Sequence, residues 1–250
     1  MRTLIVALGC AVALSAHADT TVVFNTDSQN SAMKIADGKI MMEVAGGSED
    51  ARMLFDSNQD GFIVINDSDK SYMKFDAQTL EKLAGLQNQM MQQMEAQLAQ
   101  VPPAQREQMK QMMKNMAGPM FNEPARRSTE YGDSDTVAGY KCRIKEIYAD
   151  DELKARQCVV ALSALEIPSD DQATLIGMQK YLLNLVSSMP MVAESMMEFG
   201  DPSAEELPIR FETFGMVKSS GELVEVRDSV EGDLRIPEGY REEQIPMPEF

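Results

Sequence analysis

From Thr20 to about Phe75 the chain alternates apolar and polar residues in short runs: TTVVFNTD, SAMKIAD, KIMMEVA, ARMLFD, FIVIND and SYMKFD. Gly, Asn, Asp and Ser separate them, the pattern of consecutive β-strands joined by turns. The period then changes. In DAQTLEKLAGLQNQMMQQMEAQLAQ, residues Leu80, Leu83, Met90, Met91, Met94 and Leu98 fall on one broad helical stripe. Pro102-Pro103 stops this helix and opens a second, AQREQMKQMMKNM, which Gly118-Pro119 closes. Strand patterning returns from about Arg126 to Leu165. Ser169-Asp170-Asp171-Gln172 reads as a capping box, so a third helix is predicted from near Asp170 towards Phe199, kinked or broken at Pro190. PIRFETFG and ELVEVRDSV read as a strand pair around KSSG, and LRIPEGYREEQIPMPEF as an extended, Pro-rich tail. Strands, helical hairpin, strands, helix and strands without a composition break predict one α+β domain over residues 19–250. Its helical insertion lies at about 77–118, and the helices cover one face of a curved antiparallel sheet.

Residues 1–18, MRTLIVALGCAVALSAHA, fit a cleavable signal peptide. Arg2 supplies the positive start, Leu4 to Leu14 the apolar stretch, and Ala16-His17-Ala18 the small-x-small site before Asp19. The run is too short to span a bilayer. Ala7-Leu8-Gly9-Cys10 is a weak lipoprotein look-alike that would leave an apolar tail downstream. Cleavage after Ala18, a periplasmic location and no stable membrane insertion are therefore expected.

Export changes how composition is read. The chain of 250 residues has 23 Lys+Arg against 40 Asp+Glu, a formal net charge of −17, which disfavours nucleic acid and anionic membrane surfaces as partners. The one histidine is His17, and there is no tryptophan. A mature chain without histidine excludes Ser-His-Asp and Cys-His catalysis and His-ligated metal sites. Loss of Cys10 leaves Cys142 and Cys158 in an oxidising compartment. GYKCRIKEIY puts Tyr140, Cys142 and Ile144 on one strand face, and Cys158, Val160 and Leu162 share a face in the next. If Tyr148 pairs with Glu152 around Asp150-Asp151, Cys142 stands opposite Cys158. A cross-strand disulfide is expected rather than a redox or thiolate metal site, because C-x-x-C spacing and a basic partner at a helix start are lacking.

Three further patterns bear on chemistry. Asp56-Ser-Asn58-Gln-Asp60-Gly61, ending at Asp67, matches the ligand spacing of an EF-hand loop. Strand-like flanks replace the required helices, so a hairpin turn on Asn58-Gln-Asp60-Gly61 is expected and no metal ligands are assigned. The 21 methionines stand out, eight of them between Met90 and Met120. Met109, Met112, Met113 and Met116 share a helix face at i, i+3, i+4, i+7. Such a face serves as ordinary packing, as an adaptable apolar groove, or as a Cu(I) thioether site. The carboxylate pairs Asp150-Asp151, Asp170-Asp171 and Glu205-Glu206 sit in turn, helix-start and loop contexts, and there is no P-loop, GxSxG elbow or dinucleotide fingerprint.

SYMKFD before the Met-rich helix, PPAQREQMKQMM, VAGYKC with a second Cys one strand later, and IPEGY occur in that order. Together they resemble an uncharacterised family of exported bacterial proteins, a domain of unknown function similar to the LolA/LolB-type lipoprotein carriers. The resemblance runs from about Ala32 to Tyr240. It implies a half-closed antiparallel barrel with helices lidding an apolar hollow, and brings no catalytic residues. The carriers' basic entrance is not recognisable in this acidic chain. The expected function is a periplasmic, non-enzymatic protein without a cofactor. It would bind a lipid or other apolar ligand, or an envelope partner, in a Met-rich hollow lidded by Leu80 to Met116. Copper binding by the clustered methionines and a purely structural envelope role are the alternatives.

Overall fold

The computed structural model describes residues 19–43, 51–59, 61–102, 105, 127–188, 205–215 and 218–244. Six strands come first: β1 (Asp19–Thr26), β2 (Gln29–Ala36), β3 (Lys39–Glu43), β4 (Ala51–Asp56), β5 (Gly61–Asn66) and β6 (Ser71–Phe75). Helix α1 (Ala77–Gln100) precedes β7 (Arg127–Val137), β8 (Tyr140–Ala149) and β9 (Glu152–Ala161). A 3₁₀ turn at Leu162–Ala164, helix α2 (Ser169–Ser188), β10 (Glu206–Thr213), β11 (Ser220–Arg227) and the short β12 (Arg241–Glu242) complete the order. All twelve strands join one open sheet, β12-β6-β5-β4-β3-β2-β1-β11-β10-β9-β8-β7. Two meanders thus meet at the β1–β11 pair. The sheet is mixed rather than wholly antiparallel, because β12 adds to β6 in parallel.

Local turn chemistry drives much of this. Asp27-Ser28, Asp37-Gly38, Ala138-Gly139 and Asp150-Asp151 each place two successive residues at positive φ. Each joins strands whose next residues pair directly: Thr26 with Gln29, Ala36 with Lys39, Val137 with Tyr140, Ala149 with Glu152. Two-residue loops of this hand match the right-handed strand twist and so build twist into the sheet. The β4–β5 turn begins earlier than the sequence pattern suggested. Asp56 ends the strand and accepts hydrogen bonds from the Asn58 backbone N–H (3.0 Å) and the Gln59 side-chain amide (3.1 Å). Its carboxylate is thereby committed to its own turn, the chemistry of a hairpin; Asp60 lies outside the described residues.

One apolar core joins both meanders, with Val22, Ile35, Ile40, Phe55 and Phe62 on one side and Cys142, Cys158, Val160 and Ile209 on the other. Leu175 and Met178 of α2 pack into the same core, so α2 covers this face. The curvature follows from two hydrogen bonds. Gln179 donates its amide to the Glu206 carbonyl on β10 (3.2 Å), and the Tyr181 hydroxyl donates to the Phe75 carbonyl on β6. In the sheet order β6 stands second and β10 ninth. At about 4.8 Å per strand a flat sheet would separate them by about 34 Å. A helix with its side chains is only about 10–12 Å across. The sheet therefore curls around α2 as a trough.

The tail is not a free extension. Leu234, Ile236 and Tyr240 pack on Met41, Leu54, Ile63, Ile65 and Tyr72 on the outer face of β3–β6. Beyond them the Arg241 and Glu243 N–H groups donate to the Lys70 and Tyr72 carbonyls at 3.0 and 2.8 Å. That contact makes β12.

Candidate binding site

The root of α1 sits at the rim of the trough. Asp76 follows β6, and its carboxylate accepts the Thr79 N–H at 2.8 Å as an N-cap. That backbone hydrogen bond is the main reason the Asp76 carboxyl titrates below its ordinary value. The incoming backbone runs close over Gly61, where a Cβ would meet the Phe75 carbonyl oxygen at 3.1 Å and Asp76 Cα at 3.3 Å. Glycine is what allows β5 to start beneath the helix root. Along α1, Leu80 is buried and Leu83, Leu86 and Leu98 are half-buried, while Gln78, Glu81, Lys82, Gln92 and Gln93 are exposed. The described leucines thus lie on the less exposed side of the helix. α1 packs against β6 and α2.

Beside this root lies an aromatic cluster. Phe55, Phe62 and Tyr181 stand with ring centroids 5.3–6.2 Å apart in tilted and edge-on contacts. Tyr181 satisfies its hydroxyl on the Phe75 carbonyl, which ties α2, β6 and the start of α1 to one point. Phe55 and Phe62 face each other across the β4–β5 hairpin, whereas Tyr181 comes from a distant part of the chain and shares no local spacing with them, so its approach was not visible in the sequence.

α2 starts at Ser169, one residue before the expected start, and its described part runs to Ser188; Pro190 lies outside the described residues. The capping box does not close as the sequence suggested. The Gln172 side-chain amide donates to the Ile167 carbonyl at 2.7 Å, because the helix already begins at Ser169. Asp171 is buried and accepts the hydroxyl of buried Thr20 at 2.6 Å, fixing the start of α2 to β1. Burial raises the Asp171 carboxyl above its ordinary value, and the carboxylates of Asp19, Asp170 and Asp37 push the same way against the Thr20 hydrogen bond.

Of the residues predicted to bind a ligand, Met90, Met91 and Met94 fall within α1, but their side chains lie outside the described residues. So do Met109, Met112, Met113 and Met116 altogether. The structure therefore brings α1 to the trough without describing the methionine face. Among the described residues no three His, Cys, Asp or Glu side chains converge as a metal site. No described helix is long and apolar enough to cross a membrane.

The cysteines are joined as expected, with S–S 2.00 Å and Cα–Cα 5.4 Å, and both are buried. The register differs from the simple hairpin. Tyr148 pairs with Leu153, and a further shift follows between Ile147 and Tyr148, so Cys158 faces Ile144. The two cysteines are therefore diagonal rather than directly opposed, on the same face and still within bonding reach.

The chain matches no family model, and no curated protein is found similar to it.

Proposed function

We propose that the protein is an exported, periplasmic, non-enzymatic binding protein that takes up an apolar ligand between the curved sheet and its helices. The observation that carries this reading is the trough: one helix, α2, bonded to strands at second and ninth place in the sheet, with α1 rooted at the rim and its described leucines on its less exposed side. A curled sheet with amphipathic helices across its open side is suited to a ligand held by apolar burial, worth about 25 cal/mol per Å². The disulfide supports export, since such bonds persist in oxidising compartments. The motif-level resemblance to the family similar to LolA/LolB-type carriers points the same way. On this reading α1 and the Met-rich segment after it form an adaptable lid, methionine being the side chain that packs against ligands of varied shape.

The test uses the mature protein and a fluorescent polyene fatty acid as probe. Saturable uptake is expected for the wild type. The Leu83→Asp, Leu86→Asp double variant should lose uptake and keep its thermal transition, and Met112→Asp with Met113→Asp should do the same. Full uptake by both variants overturns the lid.

A further inference from the structure

We propose that a cleft across β1 and β8–β11, outside the trough reading, binds a small organic cation, an ammonium or guanidinium group. The cleft has a volume of about 330 Å³, and Ile144, Cys158 and Phe211 contribute to its lining. Its sign of charge is set by two rows of side chains crossing the strands. In the first, Glu146, Arg156 and Glu212 occupy successive paired positions on β8, β9 and β10. Arg156 holds Glu146 at 2.7 Å. In the second, Arg210 on β10 is ion-paired with Asp135 of β7 and stands 3.7 Å from Glu222 of β11. Each row thus has one guanidinium between two carboxylates, so each is negative by one charge.

The surplus carboxylates are neighbours. Glu222 pairs across the strands with Arg210, and Glu212 lies two residues further along the same strand. Such diagonal positions are about 7–8 Å apart. A cation between them would sit within charge-assisted hydrogen-bond reach of both. Among the described residues no ion pair holds Glu212. Asn25, opposite Glu222, donates its amide to Asn30 at 3.0 Å, which leaves its own oxygen as a third acceptor. An anion would meet the reverse situation. Both guanidiniums already face carboxylates, and the whole chain carries −17, a field that concentrates cations and repels anions.

The cation could be a free polyamine or a Lys or Arg side chain of a peptide, because the cleft presents the same carboxylates to either. Two probes separate these sources: 1,4-diaminobutane and N-acetyl-arginine amide, titrated at low salt into the ¹⁵N-labelled full protein. Saturable shifts confined to the amides of Arg156, Ser220, Gly221 and Glu222 are expected from at least one probe. They should weaken as salt is raised. The Glu212→Gln, Glu222→Gln double variant should bind about tenfold more weakly, the worth of a hydrogen bond to a charged group. Glu231→Gln with Glu238→Gln changes net charge equally away from the cleft and should leave binding unchanged. Asn25→Asp adds a carboxylate and should tighten binding, which keeps the test informative if the double variant folds poorly. Diffuse or absent shifts, equal weakening by the control pair, or weaker binding by Asn25→Asp overturns the proposal.

Discussion

In β3–β6 the sheet is covered on both faces, by α2 within and by Leu234, Ile236 and Tyr240 without. In β7–β10 a buried disulfide and a series of ion pairs, Arg143–Glu206, Arg156–Glu146 and Arg210–Asp135, link the strands instead. The first region has short strands of five or six residues whose successive side chains enter opposite cores: Ile40 inward and Met41 outward, Phe55 inward and Leu54 outward. The second has strands of eight to eleven residues that outrun the core. Most of β7 is exposed at the sheet edge. Surface ion pairs contribute little each, so the covalent link is what the second region has in place of a second apolar layer. One sheet is thus held by apolar burial on both faces at one end and by a cross-link at the other, with α2 bridging them.

The largest effect should come from the apolar end. Phe55→Ala removes a ring packed on Phe62 and Tyr181 and should cost about 3–5 kcal/mol in urea unfolding. A cost below about 1 kcal/mol would mean that α2 is not the bridge. Next comes the cross-link. Cys142→Ala with Cys158→Ala opens a loop with a sequence separation of 16 and should cost about 3 kcal/mol. Coincident unfolding curves for oxidised and reduced protein would remove the contrast between the ends. Ile236→Asp should then cost about 2 kcal/mol by stripping apolar cover from the outer face. Amide exchange should accelerate at Ile63 and Ile65 while β8 and β9 stay protected, and equal acceleration in both regions would show that the tail supports the whole sheet.

The smallest effect is a pH dependence that differs by site. Asp135 and Glu146 titrate below their ordinary values, held chiefly by hydrogen bonds from Arg210 and from Tyr148. Their contribution is present above the unfolded carboxylate values, 3.8 and 4.5, and is lost as pH falls through the lower folded values. Asp171 works in the opposite sense. Its folded value is raised above 3.8, so its penalty is absent in acid and grows as pH rises from 3.8 through the folded value. Asp171→Asn should therefore raise thermal stability at pH 7 relative to wild type, and the gain should vanish near pH 3. A gain that persisted in acid would assign the effect to something other than ionisation.

Much of this fold was legible because period and turn chemistry agreed locally. Each of the first six apolar runs became a strand, and Asp27-Ser28 and Asp37-Gly38 closed hairpins as their composition demands. The disulfide was legible from face and compartment, whereas its diagonal register was not. The shift beside Tyr148 is a backbone event with no residue to announce it. The tail was read as extended and Pro-rich, but its docking on the outer face was not foreseen, since β12 has only two residues. Leu234 and Ile236 share a face at i, i+2 and were the available signal. The candidate site was half legible. Leu80, Leu83 and Leu98 of α1 followed from helical spacing and Leu86 did not, and the Gln179 and Tyr181 bonds that curl the sheet join residues 27 and 106 positions apart. The charge rows of the cleft likewise arise only from strand order.

Native mass spectrometry of unreduced protein purified from the periplasm tests the central reading most directly. The expected species is a chain starting at Asp19, about two hydrogens light for the disulfide, carrying an apolar adduct of lipid size. The Leu83→Asp, Leu86→Asp variant should lose that adduct. A wild-type chain with no adduct that also takes up no added fatty acid, or a variant that keeps the adduct in full, would contradict it.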